Sequence, residues 1–334
     1  MRIGIDAMGG DNSPDAVIKG VALYLNQNQD DEVVIFGNKD IIGKECAQKI
    51  RQFNKVEIVD CKEKIEFEDE PVKAIRQKKD SSIVVGLQYL KEGEIDAFIS
   101  AGSTGALMAG GLLIVGRIKG IDRPALTTRL PYKDGQYLLI DVGSNTDCRP
   151  INILQFAQMA TVYVSKVLGK QNPTVGLLNI GTEENKGNDL SKQSYDLLKS
   201  AKNINFVGNV EARSLPFSPP DIVVCDGFVG NIVLKLTEGM GLLFFDILKD
   251  IAKSSFRAKI GGLLLKPYLK RLKGKYDYKE VGGAPLLGID GIIVKCHGAS
   301  DSQAIFSGIH QAKSFYKNNI LALLKEEITA ESEV

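Results

Sequence analysis

The chain opens MRIGIDAMGGDNSPDAV, residues 1–17. Ile3–Ile5 reads as a short strand. The next stretch, DAMGGDNSP (Asp6–Pro14), sets two adjacent glycines between two aspartates where that strand ends. It lacks G-x-G-x-x-G, so it is not the dinucleotide turn of a Rossmann unit. Glycine lets a backbone approach a ligand closely and adopt positive φ. Free N–H groups at a helix start bind anions.

The same arrangement recurs along the chain. Strand candidates are Ile3–Ile5, Val33–Phe36, Val56–Val59, Ala97–Ser100, Leu138–Val142, Val175–Asn179, Asn205–Val207, Ile222–Cys225 and Ile292–Cys296. Between many of them lie helical patterns such as Thr104–Val115, Ile153–Val167 and Leu190–Ala201. This alternation predicts an α/β fold with a mostly parallel sheet. Such sheets bind ligands beyond the carboxyl ends of their strands. The loops expected there are alike: DAMGGDNSP, SAGSTGALM (Ser100–Met108), DVGSNTD (Asp141–Asp147), NIGTEENKGND (Asn179–Asp189), CDGFVGN (Cys225–Asn231) and CHGASD (Cys296–Asp301). Six glycine-bearing polar loops at strand ends predict a phosphate or other anion site. SAGSTG is the best single cradle, with hydroxyls at Ser100, Ser103 and Thr104 and close approach at Gly102 and Gly105. No Gly-Lys-Ser/Thr closes it, so it is not a Walker A loop. Ser103 and Thr104 also suit a helix N-cap.

The acids Asp6, Asp11, Asp141 and Asp226 stand at strand ends, where they can orient lysines, cap helices or hold a metal. No regular metal-ligand spacing joins them. The chain has only two histidines, His297 and His310. His297 lies among the loops; Lys235, early in the helix after DGFVGN, is either a solvated lysine or a cation aimed at an anion.

Composition narrows the field further. The 334 residues are 44% hydrophobic, enough for a large core, and the formal charge is +1. No net field marks a nucleic-acid binder. The five cysteines are dispersed without C-x-x-C, which reads as reduced thiols in a cytoplasmic protein. No secretory signal is evident, and no apolar run is expected to reach the ~20 residues of a spanning helix. Residues 233–279 lack strand signals and read as a helical hairpin projecting from a single 1–334 unit. Gly261–Gly262 and Pro267 put its tip at KIGGLLLKP, residues 259–267, followed by a basic helix with Lys266, Lys270, Arg271, Lys273 and Lys275. A final helix runs from Ser302 to about Ile328.

Taken in order, DAMGGDNSP, SAGSTGALM, GRIKGIDRPAL, NIGTEENKG, GNVEA, CDGFVGNIVLK and KCHGASD resemble the bacterial acyl-acyl-carrier-protein:phosphate acyltransferase family of phospholipid synthesis. The resemblance runs from Met1 to about Lys325. It implies a three-layer α/β fold like isocitrate and isopropylmalate dehydrogenases and phosphotransacetylases. It also implies acyl transfer from carrier protein to inorganic phosphate, a homodimer, and no cofactor or metal. Ser103, Ser144 and Val229 stand where that family often has asparagine, alanine and threonine, and all three keep the glycine framework.

The implied chemistry fits the residue inventory. Phosphate is already an oxyanion nucleophile, and a thiolate of pKa near ~8.5 leaves readily. The protein must then position phosphate and stabilise a tetrahedral oxyanion. Asn231, Lys235 and His297 are the catalytic candidates. Phosphate or substrate contacts are expected from Asp6, Gly9, Gly10 and Asp11; from Ser100, Gly102, Ser103, Thr104 and Gly105; and from Asp141, Asn145, Asn179, Gly181, Asp226, Gly227 and Gly230. An acidic carrier protein needs a basic docking patch; Lys73, Arg76 and Lys79 offer one at i, i+3, i+6, with the basic hairpin helix as competitor. Leu263, Leu264 and Leu265, beside cations, suit an anionic membrane surface. Acyl phosphate would there pass to a membrane-bound glycerol-phosphate acyltransferase, making the protein cytoplasmic and peripherally membrane-associated. The rival readings are a dehydrogenase of the same fold and a non-catalytic membrane-surface adaptor.

Overall fold

The computed structural model of the chain describes residues 1–50, 53–276 and 283–332, without the side chains of 44–47, 270–276 and 329–332. In chain order the elements are β1 (Arg2–Asp6), α1 (Asp15–Gln27), β2 (Glu32–Gly37), α2 (Lys39–Ile50), β3 (Val56–Asp60), α3 (Pro71–Gln77), α4 (Ser82–Glu92), β4 (Ala97–Ser100) and α5 (Thr104–Gly110). A π-helical turn, Gly111–Val115, extends α5. Then come β5 (Ala125–Tyr132), β6 (Gly135–Ile140), α6 (Pro150–Val167), β7 (Thr174–Asn179), α7 (Asp189–Ser200), β8 (Asn205–Glu211) and β9 (Ile222–Val224). Two long helices follow, α8 (Gly227–Lys253) and α9 (Phe256–Tyr276), and the chain continues with β10 (Ala284–Leu287), β11 (Ile292–Lys295), α10 (Ser302–Lys317) and α11 (Ile320–Ser332).

The strands form one eleven-stranded sheet in the order β3-β2-β1-β4-β11-β10-β5-β6-β9-β7-β8. Side chains alternate across it. Ile3, Ile5, Val33, Ile35, Ala97 and Ile99 face a core shared with α1, α6, α7, α10 and α11. Val34, Phe36, Phe98, Leu139 and Val223 face a second core shared with α3, α4 and α5. Helices on both faces give the three layers expected.

The sheet is mostly parallel, as expected, but it reverses at its centre. β5 and β10 lie outside the expected strands, and they reverse the sheet. β10 is antiparallel to both β11 and β5, and β5 is antiparallel to β6. Three reversals leave β6, β7, β8 and β9 running opposite to β1, β4 and β11. The six polar loops therefore do not share one edge. Those after β1, β4 and β11 gather at one edge, and those after β6, β7 and β9 at the other.

The projecting hairpin is present, with its turn elsewhere. α8 ends at Lys253 and α9 begins at Phe256, so Ser254–Ser255 is the bend. Gly261, Gly262, Leu263–Leu265 and Pro267 lie inside α9. Gly262 is there for close packing: a Cβ would come within 2.8 Å of the Ala252 Cβ on α8. Lys279 lies outside the described residues, as do the side chains of Lys270, Arg271, Lys273 and Lys275. Only Gly227 and Gly230 of α8 are buried. The helix is also long and apolar enough, by length and composition, to cross a membrane, contrary to the expectation from the sequence. The final helix is two, broken at Asn318–Asn319, where Asn319 takes φ +50°.

Candidate active site

A cavity of about 500 Å³ lies on one face of the sheet, over Leu126, Thr128 and Leu130 of β5. Helix α8 walls it with Asn231, Leu234, Lys235, Glu238, Leu242 and Phe245. Much of the remaining lining is apolar, including Pro131, Val142, Ala284 and Ala304. One end is polar: Thr104 after β4, Lys295 at the end of β11, and His297 and Ser300 after it. A long apolar body with a few convergent polar groups is the usual form of a small-molecule site.

The loops after β1, β4 and β11 meet at this polar end through their own hydrogen bonds. Asp6, 1% exposed, accepts on Oδ1 from the Met8 and Gly9 N–H groups at 2.9 and 3.1 Å. Its Oδ2 accepts from the Ser100 hydroxyl at 2.6 Å, and Ser100 Oγ accepts from Gly102 N–H at 3.0 Å. Gly9 must be glycine, since a Cβ would stand 2.4 Å from both Asp6 Oδ2 and the Gly102 nitrogen. Gly10 has φ +95°, and the Asp11 N–H donates to the Gly298 carbonyl at 2.8 Å. Asp6 and Ser100 thus hold the loops to one another. Ser103 caps α5 by accepting from Ala106 N–H at 3.4 Å, while Thr104 lines the cavity. Gly105 is fitted against Pro71, whose ring would lie 2.6 Å from an added Cβ.

The opposite edge is held by Asp141, which is fully buried. Its Oδ1 accepts from the N–H groups of Leu126, Gly143 and Ser144, and its Oδ2 from the Asn145 N–H and side-chain amide. Burial pushes this carboxyl above the usual carboxylate range while those donors pull it back. The Asn145 amide also donates to the Pro124 carbonyl at 2.8 Å. Helix α8 starts directly on this knot. The Gly227 N–H donates to the Asn145 carbonyl at 2.7 Å, and a Cβ on Gly230 would stand 1.8 Å from the Asp141 carbonyl oxygen. Asp226 is the N-cap, accepting from Val229 N–H at 2.9 Å. These contacts aim α8 across the sheet face and carry Asn231 against Gly143 and Lys235 toward β11.

The expected residues therefore separate. Asn231, Lys235, His297 and Thr104 line one cavity. Asp6, Ser100, Asp141, Asn145, Asp226, Gly227 and Gly230 are spent on the scaffold around it. Asn179 and Gly181 do not line it; β7 stands beyond β9, and Asn179 binds the Lys186 carbonyl and its neighbour's N–H. Lys73 and Arg76 are exposed on α3, but Lys79 follows the end of that helix and leaves its face.

The charges at the polar end have distinct states. His297 Nδ1 accepts from Ala299 N–H at 3.1 Å, which leaves the ring proton on Nε2. Partial desolvation of this still exposed ring, helped by the nearby Lys235 ammonium, holds its pKa below the ordinary imidazole value, so the ring is neutral near pH 7. Lys235 pairs with Glu238 at 3.2 Å on an exposed stretch of α8. Lys295, which sequence reasoning missed, is 7% exposed; burial pulls its pKa down to about 8. Among the described residues no free thiol is activated: burial pushes Cys61 and Cys148 up to about 12 and Cys296 to about 11, and raises Cys225 well above the ordinary value.

Residues 1–323 match the family model described as "Fatty acid synthesis protein". A phosphate acyltransferase from Caldicellulosiruptor bescii is 91% identical over all 334 residues of both chains. One from Clostridium tetani is 50% identical over 328 residues, 98% of each. Among solved structures, a branched-chain phosphotransacylase from Enterococcus faecalis superposes with TM-score 0.60 at 15% identity, over 94% of this chain and 98% of that one. The phosphotransacetylase EutD from Staphylococcus aureus gives 0.58 at 15% identity, over 93% and 94%. Both share the fold. By its family match and its full-length relatives, the chain belongs to the fatty acid synthesis protein family and is an acyltransferase of the phosphate acyltransferase kind.

Proposed function

We propose that the protein transfers a fatty acyl group from the thioester of acyl-acyl carrier protein to inorganic phosphate, by direct attack of a phosphate oxygen. The cavity carries this reading. Its apolar length along β5 and α8 suits an acyl chain, each buried methylene contributing about 0.8 kcal/mol. Its polar end offers a hydroxyl, two ammonium groups, an amide and a neutral imidazole where the thioester carbonyl would lie. In the reaction a phosphate oxygen bonds to the carbonyl carbon, the carbon–sulfur bond breaks, and the phosphate proton ends on the carrier thiol. The His297 Nε2–H and the Asn231 amide suit donation to the developing oxyanion. The raised pKa values of Cys61, Cys148, Cys225 and Cys296 favour a route without an acyl-cysteine. A metal-dependent hydroxyacid dehydrogenase would need free clustered carboxylates, whereas Asp6, Asp141 and Asp226 are each engaged by backbone N–H groups.

The acidic carrier would dock on Lys73 and Arg76, since α3 packs on α5 beside the Thr104 end of the cavity. The long apolar side of α8, with Leu236, Leu242 and Phe244 more than half exposed, is the kind of contiguous apolar surface that marks an interaction site; a second copy of the chain would cover it. On α9, Leu263, Leu264 and Leu265 are 69%, 70% and 55% exposed, beside Lys259 and Lys266. That face suits an anionic membrane surface, where acyl phosphate would pass to a membrane glycerol-phosphate acyltransferase. This makes the protein a cytoplasmic enzyme associated peripherally with the membrane. The test is to incubate it with acyl-acyl carrier protein and phosphate. Thiol release that requires phosphate supports the reading; folded protein that releases none refutes it.

A further inference from the structure

Two donors at the polar end of the cavity have no assigned task. Lys295 is buried at the last position of β11. An ammonium has three N–H donors. One Lys295 donor goes to the Cys296 carbonyl and another, at 3.5 Å, to the carbonyl of Ala101 in the loop after β4. The third has no protein partner among the described residues, and Lys295 lines the cavity. Ser300, 4% exposed, lines the same cavity, and its buried hydroxyl has no hydrogen-bond partner among the described residues. A buried lysine without a carboxylate and a buried hydroxyl without a partner are each costly. Both costs are met at once by an anion with several acceptor oxygens.

We propose that Lys295 and Ser300 form the seat of inorganic phosphate, a binding site that places the nucleophile at the thioester end of the cavity. The site lies where the three loops converge: the Asp11 N–H meets the Gly298 carbonyl, the Asn12 amide meets the Ala299 and Ser300 carbonyls, and Lys295 ties β11 to Ala101. The charged groups acting on Lys295 are Asp6 and Asp11 of the first loop and Lys235 of α8; the neighbouring Cys296 is a neutral thiol near pH 7. With Asp6 already engaged by Ser100 and two backbone N–H groups, the ammonium is left available to an incoming dianion. His297 and Asn231 then remain for the carbonyl side of the reaction.

This inference rests on the acyl-to-phosphate reading, and the experiment separates the two. In steady-state kinetics, Lys295→Met should raise the phosphate KM at least tenfold, or lower turnover at least a hundredfold, with the carrier-substrate KM within twofold of wild type. Ser300→Ala should raise the phosphate KM several-fold. A Lys295→Met enzyme with both KM values and turnover unchanged, or with both KM values raised alike, overturns the proposal. If that variant does not fold, Ser300→Ala decides by the same criterion. If wild type transfers no acyl group, the transfer reading fails while the site is still read by melting. Inorganic phosphate should raise the melting temperature of wild type and not of Lys295→Met, and equal shifts in both would remove the site.

Discussion

Gly230→Ala isolates the claim that scaffold contacts aim α8 at the cavity. The added methyl would stand 1.8 Å from the Asp141 carbonyl oxygen, where ordinary contact begins near 3.4 Å. Neither partner is a flexible side chain, so the helix start or the Asp141 loop must give by more than an ångström. Overpacking of this kind costs about 1–3 kcal/mol of stability. The catalytic effect should be larger than that suggests, because α8 has no buried anchor beyond Gly227 and Gly230. Its displacement moves Asn231 and Lys235 together, and a 1 Å misplacement costs on the order of a hundredfold in rate. The control is Gly239→Ala on the same helix, where nothing lies within 4 Å of the new methyl; it should be stabilising by up to about 1 kcal/mol. Urea denaturation and phosphate-dependent thiol release, measured on both variants, give the comparison. Gly230→Ala with activity within twofold of Gly239→Ala would show that the α8 start does not position the site.

Other expectations come from the same geometry. His297→Gln should lower turnover roughly ten- to a thousandfold with little change in melting temperature; normal turnover with lowered melting would make the histidine structural. The depressed folded-state pKa of His297 means that its contribution to stability is full above pH 6.5 and is lost as pH falls through the folded value. A pH-denaturation comparison of wild type with His297→Gln should show a steeper loss below 6.5 in wild type, because His310, whose pKa burial also lowers, titrates in both proteins. Leu264→Glu should abolish co-sedimentation with anionic vesicles while soluble activity and dimerisation persist; a variant that turns monomeric would instead assign this face of α9 to the second copy.

Much of the fold was legible from β-branched runs such as Val33–Phe36 and Ala97–Ser100, whose alternation feeds two cores. The reversal of the sheet was not. β10 is four residues, one of them Pro285, and β5 ends in Leu130-Pro131-Tyr132, so neither presents a clean period of two. The two-residue turn Lys133–Asp134, followed by Gly135 at the start of β6, was a usable hairpin signal. In the hairpin excursion, Gly261–Gly262 looked like a turn because glycine breaks isolated helices, whereas here Gly262 lets two helices approach. At the site, Thr104, Asn231, Lys235 and His297 were found from loop chemistry, and all four line the cavity. Asp6 and Asp141 read as ligand groups because nothing in sequence reveals how many backbone N–H groups converge on them. Lys295 was hidden because a lysine ending a strand usually faces water, and its burial depends on the loop after β4, nearly two hundred residues away in sequence.

Direct attack by phosphate is tested most directly by omitting it. Enzyme and acyl-acyl carrier protein are mixed at equal concentrations without phosphate, and free thiol and protein mass are followed through one turnover. The account predicts no thiol and no mass gain until phosphate is added, then one thiol and one acyl phosphate for each phosphate consumed. A thiol burst before phosphate, with an acyl mass left on the enzyme, would contradict it.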